Sequence, residues 1–283
     1  MEHIHQNLIR HVQALSADIG ERHMWKEGSL ESAAGYIEQE FAAIGLAPRR
    51  QSFTAYGKPV CNIIAEIPDG LKERLVIGGH YDSVPGSPGA DDNASAVAGV
   101  LELARLFAGG QPRRPITFAA YVNEESPCYG SAKMGSMVHA QELRQAGAQV
   151  ELMVSLEMIG YFRPGQRQEY PLPGMGLIYP RYADFIAVAA NFPSAMHAIR
   201  LARRIRKNSA IGARLLVAPE QAGGVNRSDN FSFWKNGYRA VMVTDTANFR
   251  NPNYHQETDL METLDFESMT QVVLGLYHAL GAI

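Results

Sequence analysis

The stretch Arg74-Leu75-Val76-Ile77-Gly78-Gly79-His80-Tyr81-Asp82 is nearly all apolar up to Gly79 and becomes polar at His80. A short apolar run of this kind is typical of a strand that is buried on both faces of a sheet. The polar residues follow the predicted strand at its carboxyl end, which is where open α/β sheets bind their ligands. The stretch therefore indicates both a fold class and the first part of a functional site.

The rest of the chain alternates between strand-like and helix-like segments. Further apolar runs predict strands at 60–67, 116–122, 152–156 and 240–243. Apolar residues at helical spacing predict helices at about 8–19, 29–44, 94–107, 131–145 and 264–280. This alternation predicts an α/β fold with a mixed, mostly parallel central sheet between helices. We expect one domain over residues 1–283, with variable helices and loops at about 193–224.

Composition excludes several classes of protein. The 283 residues are 46% hydrophobic and 19% charged, which is ordinary for a globular protein and argues against disorder. The formal net charge is −3 and no long basic run occurs, so we expect no nucleic-acid partner. No apolar run approaches the ~20 residues of a membrane span. The two cysteines do not form a disulfide framework.

The compartment stays open at this point. The first residues, Met1-Glu2-His3-Ile4, lack the basic-then-apolar order of a signal peptide. We therefore expect a soluble protein, cytoplasmic as the sequence stands, with a secreted or periplasmic location if a signal has been removed. The oligomeric state is not predicted.

Five polar clusters follow predicted strands or lie in loops. They are His80-Tyr81-Asp82, Gly89-Ala90-Asp91-Asp92-Asn93, Asn123-Glu124-Glu125, Glu157 and Tyr254-His255-Gln256. Each cluster alone has an ordinary structural explanation, such as a helix cap or solvated charge. Together, unpaired carboxylates near a buried sheet end would repel one another and lose solvation unless a cation compensated them. Imidazole and carboxylate ligands suit Zn²⁺ first, although they leave cobalt and manganese as alternatives.

These clusters, in this order, resemble the co-catalytic di-zinc aminopeptidase family, which includes bacterial leucyl aminopeptidases and, more distantly, glutaminyl cyclases. The resemblance extends from about residue 19 to residue 280, except for about 193–224. It implies two zinc ions per chain and hydrolysis of N-terminal amino acids from peptides by a water that both ions hold. The implied partner is a peptide with a free N-terminus.

The resemblance also implies a role for each matching residue. His80 and Glu157 would complete one zinc site, Glu125 and His255 the other, and Asp92 would bridge both. The family pattern favours Asp92 over the adjacent Asp91 as the bridge. Three more residues receive roles: Glu124 as general base, Asp82 as the residue that orients the His80 imidazole, and Tyr254 as a hydrogen-bond donor to the substrate carbonyl.

Two departures from the family pattern stand out. Asn93 occupies a position where many relatives carry an acidic residue. Glu157 occupies a position where many relatives carry aspartate. Glu157 offers the same ligand atoms as aspartate, so we expect metal binding to survive. The resemblance further implies a cis peptide bond between Asp92 and Asn93. Ser228-Asp229-Asn230 either supports the site or caps a helix.

Three rival functions remain at this point. One is a carboxypeptidase or aminoacylase with a related fold, but such enzymes usually carry a separate dimerisation domain, and we expect no room for one in this sequence. A glutaminyl-cyclase-like acyltransferase would work with one zinc and lack part of the second ligand set, whereas all five ligand positions are present here. A non-catalytic binding protein of the same fold would have lost ligands, and the retention of Glu124 and Glu125 argues against it. The preferred N-terminal residue is not predicted.

Overall fold

The computed structural model describes residues 1–68, 73–170 and 174–283. The strands in this part of the chain are β1 Arg49–Ala55, β2 Lys58–Ile67, β3 Glu73–His80, β4 Ile116–Tyr121, β5 Gln149–Glu157, β6 Arg163–Arg167, β7 Tyr182–Ala183, β8 Phe185–Ala190, β9 Gly212–Val217 and β10 Ala240–Thr244. The α-helices are α1 Glu2–Val12, α2 Ser29–Ala43, α3 Ala96–Ala108, α4 Gly135–Gln145, α5 Ala195–Asn208, α6 Asn230–Lys235 and α7 Phe266–Leu280. Each strand and helix predicted from the sequence is found, but the first helix begins at Glu2, six residues earlier than expected, and beyond Val12 it continues as a π-helix, Gln13–Ile19.

Eight strands form one sheet in the order β1-β2-β4-β3-β5-β10-β8-β9, and β6 pairs with β7 apart from it. The four central strands, β4-β3-β5-β10, run parallel to one another. Antiparallel pairs occur on either side of them, at β1-β2-β4 and at β10-β8. The prediction of a mixed, mostly parallel central sheet is confirmed.

Helices cover both faces of this sheet. On one face, α1, α2, α3, α5 and α7 share a hydrophobic cluster with alternate strand residues such as Ile77 and Val154. On the other face, α4 and α6 pack against the intervening residues, among them Val76 and Met153. Because both faces are covered, the central strands are apolar throughout, which explains the continuous apolar runs in the sequence.

Two glycines allow β3 to lie close to its neighbours. A Cβ atom on Gly78 would lie 2.6 Å from the ring of Tyr121. A Cβ atom on Gly79 would lie 2.9 Å from the carbonyl oxygen of Leu156 and 3.2 Å from the side chain of Ala96. The absence of both side chains lets β3 pack tightly just before His80, at its carboxyl end.

Residues 193–224 are more regular than the sequence indicated. Helix α5 lies in this segment as expected, but so does β9, which pairs in parallel with β8 at the edge of the main sheet. β9 is an edge strand and is only partly buried, and it contains a charged residue, Arg214. It therefore lacks the apolar run that reveals the central strands. Every helix among the described residues is too short or too polar to span a lipid bilayer.

Candidate metal centre

The candidate site lies at the carboxyl ends of the parallel strands. His80 and Glu157 are the last residues of β3 and β5, and Glu124 and Glu125 follow β4. Asp92 belongs to the irregular segment Ala90–Ser95 that precedes α3, and the peptide bond that joins it to Asn93 is cis. These parallel strands end at one edge of the sheet, so residues far apart in the chain meet there.

His80, Asp92 and Glu157 form the first of two groups. The Nε2 atom of His80 lies 3.3 Å from Oδ1 of Asp92 and 3.4 Å from Oε2 of Glu157. One ligand atom from each residue lies within 4.8 Å of the others, a spacing that can hold a metal ion. All three side chains are buried.

Asp92, Glu125 and His255 form the second group. The Nε2 atom of His255 lies 3.2 Å from Oδ2 of Asp92 and 3.3 Å from Oε1 of Glu125. These three residues again offer ligand atoms within 4.8 Å of one another. Asp92 thus directs one carboxylate oxygen to each group and is the only residue that belongs to both among those the structure describes.

The donor atoms fit divalent metal ions. His80 Nε2, Asp92 Oδ1 and Glu125 Oε1 are buried and have no hydrogen-bond partner. Leaving such atoms unpaired is costly, and coordination to a cation would satisfy all three at once. Two carboxylates and one imidazole in each group form a ligand set that suits zinc.

Burial and mutual repulsion shift the pKa values of these groups. Burial, followed by the charge of Asp92, raises the pKa of Glu125 to about 7. Burial also raises the pKa of Glu157. Burial would lower the pKa of His255, but the adjacent carboxylates of Asp92 and Glu125 outweigh it and raise that pKa to about 10. The cluster holds excess negative charge, which protonated imidazoles or divalent cations can balance.

Glu124 lies beside the ligand groups but belongs to neither. Its Oε2 atom is 3.9 Å from Nε2 of His80. Its backbone N–H donates to Oδ1 of Asp82 over 3.1 Å, and the N–H of Glu125 donates to Oδ2 over the same distance. The carboxylate of Asp82 therefore fixes the turn that carries both glutamates.

The contacts of Asp82 with His80 are less direct. The Nδ1 atom of His80 lies 3.1 Å from the backbone oxygen of Asp82 but 3.6 Å from its carboxylate. The imidazole is thus oriented mainly by the main chain of Asp82. The resemblance implies that Asp82 orients this imidazole, and the contact that does so in the structure comes from its backbone oxygen.

Residues without a predicted role hold the loop of His255 against the segment of Asp92. The buried carboxylate of Asp259 accepts hydrogen bonds from the N–H groups of Asp91 and Asp92, each 3.0 Å long. The side-chain amide of Asn251 donates to Oδ2 of Asp91 over 2.8 Å. Asp91 therefore serves this connection and belongs to neither ligand group. Asn251 and Asp259 were visible in the sequence as polar residues that flank His255, but nothing there revealed their partners.

Two further polar residues surround Glu157. The Ser228 hydroxyl donates to Oε2 of Glu157 over 2.7 Å, and the Asn93 amide lies 3.4 Å from the same oxygen. Of the two alternatives for Ser228-Asp229-Asn230, the hydrogen bond from Ser228 favours support of the site. Asp229 precedes α6 but makes no side-chain capping hydrogen bond there.

Tyr254 lies on the outer side of the second group. Its ring stacks on the imidazole of His255, with ring centroids 3.8 Å apart and an angle of 21° between the planes. It also lines a pocket next to Glu157. Tyr254 therefore lies both against a ligand of the second group and along the pocket.

Comparison with known proteins places this chain in a family. Over 281 residues, the chain is 35% identical to an uncharacterized protein of Escherichia coli K12, YfbL, with 96% of this chain and 86% of that protein covered. It is 29% identical over 296 residues to a probable leucine aminopeptidase of Trichophyton verrucosum, with 98% of this chain and 73% of that protein covered. The crystal structure of the Legionella pneumophila LapA aminopeptidase has a similar fold, with a TM-score of 0.77 at 20% identity over 98% of this chain and 70% of that one. Residues 62–279 match the model of peptidase family M28, and the chain therefore belongs to that family.

Proposed function

We propose that this chain is an aminopeptidase that holds two zinc ions and releases amino acids from the N-terminus of peptides. The observation that carries the proposal is the position of Asp92 between His80 and His255, with one carboxylate oxygen directed at each imidazole. Membership of a peptidase family supports the reaction class. The relative from Trichophyton verrucosum, a probable leucine aminopeptidase, supports the N-terminal specificity.

Each zinc ion would have its own ligand group. His80, Asp92 and Glu157 would hold one ion, and Asp92, Glu125 and His255 would hold the other. Zinc in such a site supplies Lewis-acid polarisation of the scissile carbonyl and makes the attacking water more acidic.

Glu124 would act as the general base. It is next to the ligand Glu125 but lies outside both groups, so its carboxylate is free to accept a proton from the attacking water and then pass one to the leaving amine. The two hydrogen bonds that Asp82 accepts would keep this carboxylate in position during turnover. Pre-positioning of this kind is a general requirement of proton transfer.

The free N-terminus of the substrate would be recognised by the carboxylates around His80. Glu157 and Glu124 are both buried there, and an ammonium group can pair with either of them. The Tyr254 hydroxyl would donate to the carbonyl oxygen as negative charge develops on it. A peptide with a blocked N-terminus would lose the ionic contact and should not be cleaved.

The completeness of both ligand groups favours hydrolysis over cyclisation of an N-terminal glutamine by a single-zinc enzyme. It also favours an enzyme over a binding protein, because the base Glu124 would have no purpose in a protein that only binds.

The test is to incubate zinc-loaded protein with matched free and N-acetylated peptides and to identify the products by mass spectrometry. The proposal predicts stepwise loss of N-terminal residues from the free peptides only. Cleavage of both sets, or cyclisation of N-terminal glutamine without hydrolysis, would contradict it.

A further inference from the structure

A pocket opens next to the candidate metal centre and shares Glu157 and Tyr254 with it. Its floor is formed by the sheet strands β10, β8 and β9, and its walls include the apolar side chains of Met175 and Phe249. Because Glu157 lies at one end, a substrate held at the metal centre would extend into this pocket.

Strand pairing defines the row of residues along the pocket floor. Glu157 is paired with Thr244, Thr244 with Ala187, and Ala187 with Arg214. Neighbouring strands are ~4.8 Å apart, so the main chains of Glu157 and Arg214 are roughly 14 Å apart across this row. The small side chains of Thr244 and Ala187 lie between them and leave the space above the row open, with Arg214 at the far end.

Arg214 is the charged group in the deeper part of the pocket. It is half-buried, and the contact of its guanidinium with the carbonyl oxygen of Ala213 is long, at 3.5 Å. Within the described ranges it forms no ion pair. Two more charges line the pocket, Arg227 and Glu169, but both are exposed and opposite in sign. Apart from Glu157, the charged residues that line the pocket therefore carry a net positive charge.

A half-buried guanidinium with unused donors is suited to bind a carboxylate through two parallel hydrogen bonds. We infer that Arg214 receives a carboxylate group of the substrate, so that the enzyme prefers peptides with an acidic group within reach of the cleaved bond. This inference rests on the proposed aminopeptidase function. The carboxylate has two sources in a short peptide: the side chain of an N-terminal glutamate, or the free C-terminus of a dipeptide.

The test compares kcat/KM for two matched pairs of substrates. Glutamyl-alaninamide against glutaminyl-alaninamide isolates the side-chain carboxylate, and leucyl-alanine against leucyl-alaninamide isolates the C-terminal carboxylate. We expect at least a tenfold preference for the charged member of one pair, and the pair that shows it identifies the source. In Arg214→Gln the preference for the charged member of that pair should fall to less than twofold.

Arg203→Gln is the matched control, because Arg203 is exposed on α5, does not line the pocket and carries the same charge. It should keep the wild-type preference. Hydrolysis of all four substrates without a preference, or a preference that survives in Arg214→Gln, would overturn the inference and leave the aminopeptidase function standing. Hydrolysis of none of them by the zinc-loaded wild type would overturn both.

Discussion

The backbone N–H of Asp92 donates to Oδ2 of Asp259 over 3.0 Å, and this bond joins the residue shared by both ligand groups to the loop that carries His255. The other carboxylate oxygen of Asp259 accepts from the N–H of Asp91. A single buried side chain thereby fixes the distance between the two parts of the site.

Asp259→Asn should weaken zinc binding while the fold is retained. An asparagine side chain has one acceptor oxygen, so one of the two N–H groups would face an NH₂ donor instead. Residues that orient metal ligands typically contribute a factor of about 10–100 in metal affinity. We expect a loss in that range, measured by competition with a chromogenic chelator. Glu257→Gln, an exposed change in the same loop, should bind zinc like the wild type. Equal affinities of all three proteins would show that the hydrogen bonds of Asp259 do not hold the site together.

Glu124→Gln should separate catalysis from metal binding. The variant lacks the proposed base, and general-base catalysis contributes a factor of about 10²–10⁴, so turnover of a free peptide should fall in that range. Its zinc content should not change because Glu124 belongs to neither ligand group. Glu125→Gln is the comparison, and it should lose zinc as well as activity. Near-wild-type turnover in Glu124→Gln would assign the base to another residue.

Gly79→Ala should destabilise the protein because the new methyl group would press on the carbonyl oxygen of Leu156, 2.9 Å away. Overpacking of this kind costs about 1–3 kcal/mol, and we expect a loss of that size in chemical denaturation. Gly35→Ala serves as the contrasting substitution. Gly35 lies within α2 and has no atom within 4 Å of its added Cβ, so this change should stabilise by about 0.5–1 kcal/mol. A Gly79→Ala protein as stable as the wild type would show that β3 does not need this close approach.

His139 should make stability depend on pH. Burial, followed by the charges of Arg49 and Arg74, lowers the pKa of His139 from 6.5 to about 3. Below about pH 6.5 the unfolded chain binds a proton that the folded chain does not bind until about pH 3. As the pH is lowered through that window, the contribution of this residue to the free energy of unfolding therefore falls by about 1.4 kcal/mol for each pH unit.

The measurement for His139 is the slope of the free energy of unfolding against pH between 6.0 and 4.5, by urea denaturation. The slope should be smaller in His139→Gln than in the wild type. The difference should correspond to the uptake of nearly one proton on unfolding, or about 1.4 kcal/mol per pH unit. A wild-type slope in His139→Gln would mean that the folded protein accepts a proton at His139 as readily as the unfolded chain.

The central strands were predictable because burial on both faces leaves a continuous apolar run, as in residues 75–79. β9 was missed for the opposite reason, since an edge strand with one open side tolerates Arg214 among its residues. The apolar stretch Phe185–Ala190, which forms β8, was also missed, although its residues are as buried as those of the central strands.

The same contrast holds within the site. His80, Glu124 and Glu157 could be singled out because each follows an apolar run at a strand end. The role of Asp259 could not be predicted, because its partner Asp92 is 167 positions away and the contact depends on the folded loop. Asp82 could be singled out because it follows His80, but its main partners, the N–H groups of Glu124 and Glu125, become apparent only in three dimensions.

The zinc content of the purified protein is the most direct test of the claim that two metal ions share Asp92. The protein would be loaded with zinc, freed of excess metal by gel filtration and measured by inductively coupled plasma mass spectrometry. The proposal predicts two zinc ions per wild-type chain and one in His255→Ala, in which the group of His80, Asp92 and Glu157 stays intact. One zinc ion or none in the wild type would contradict it.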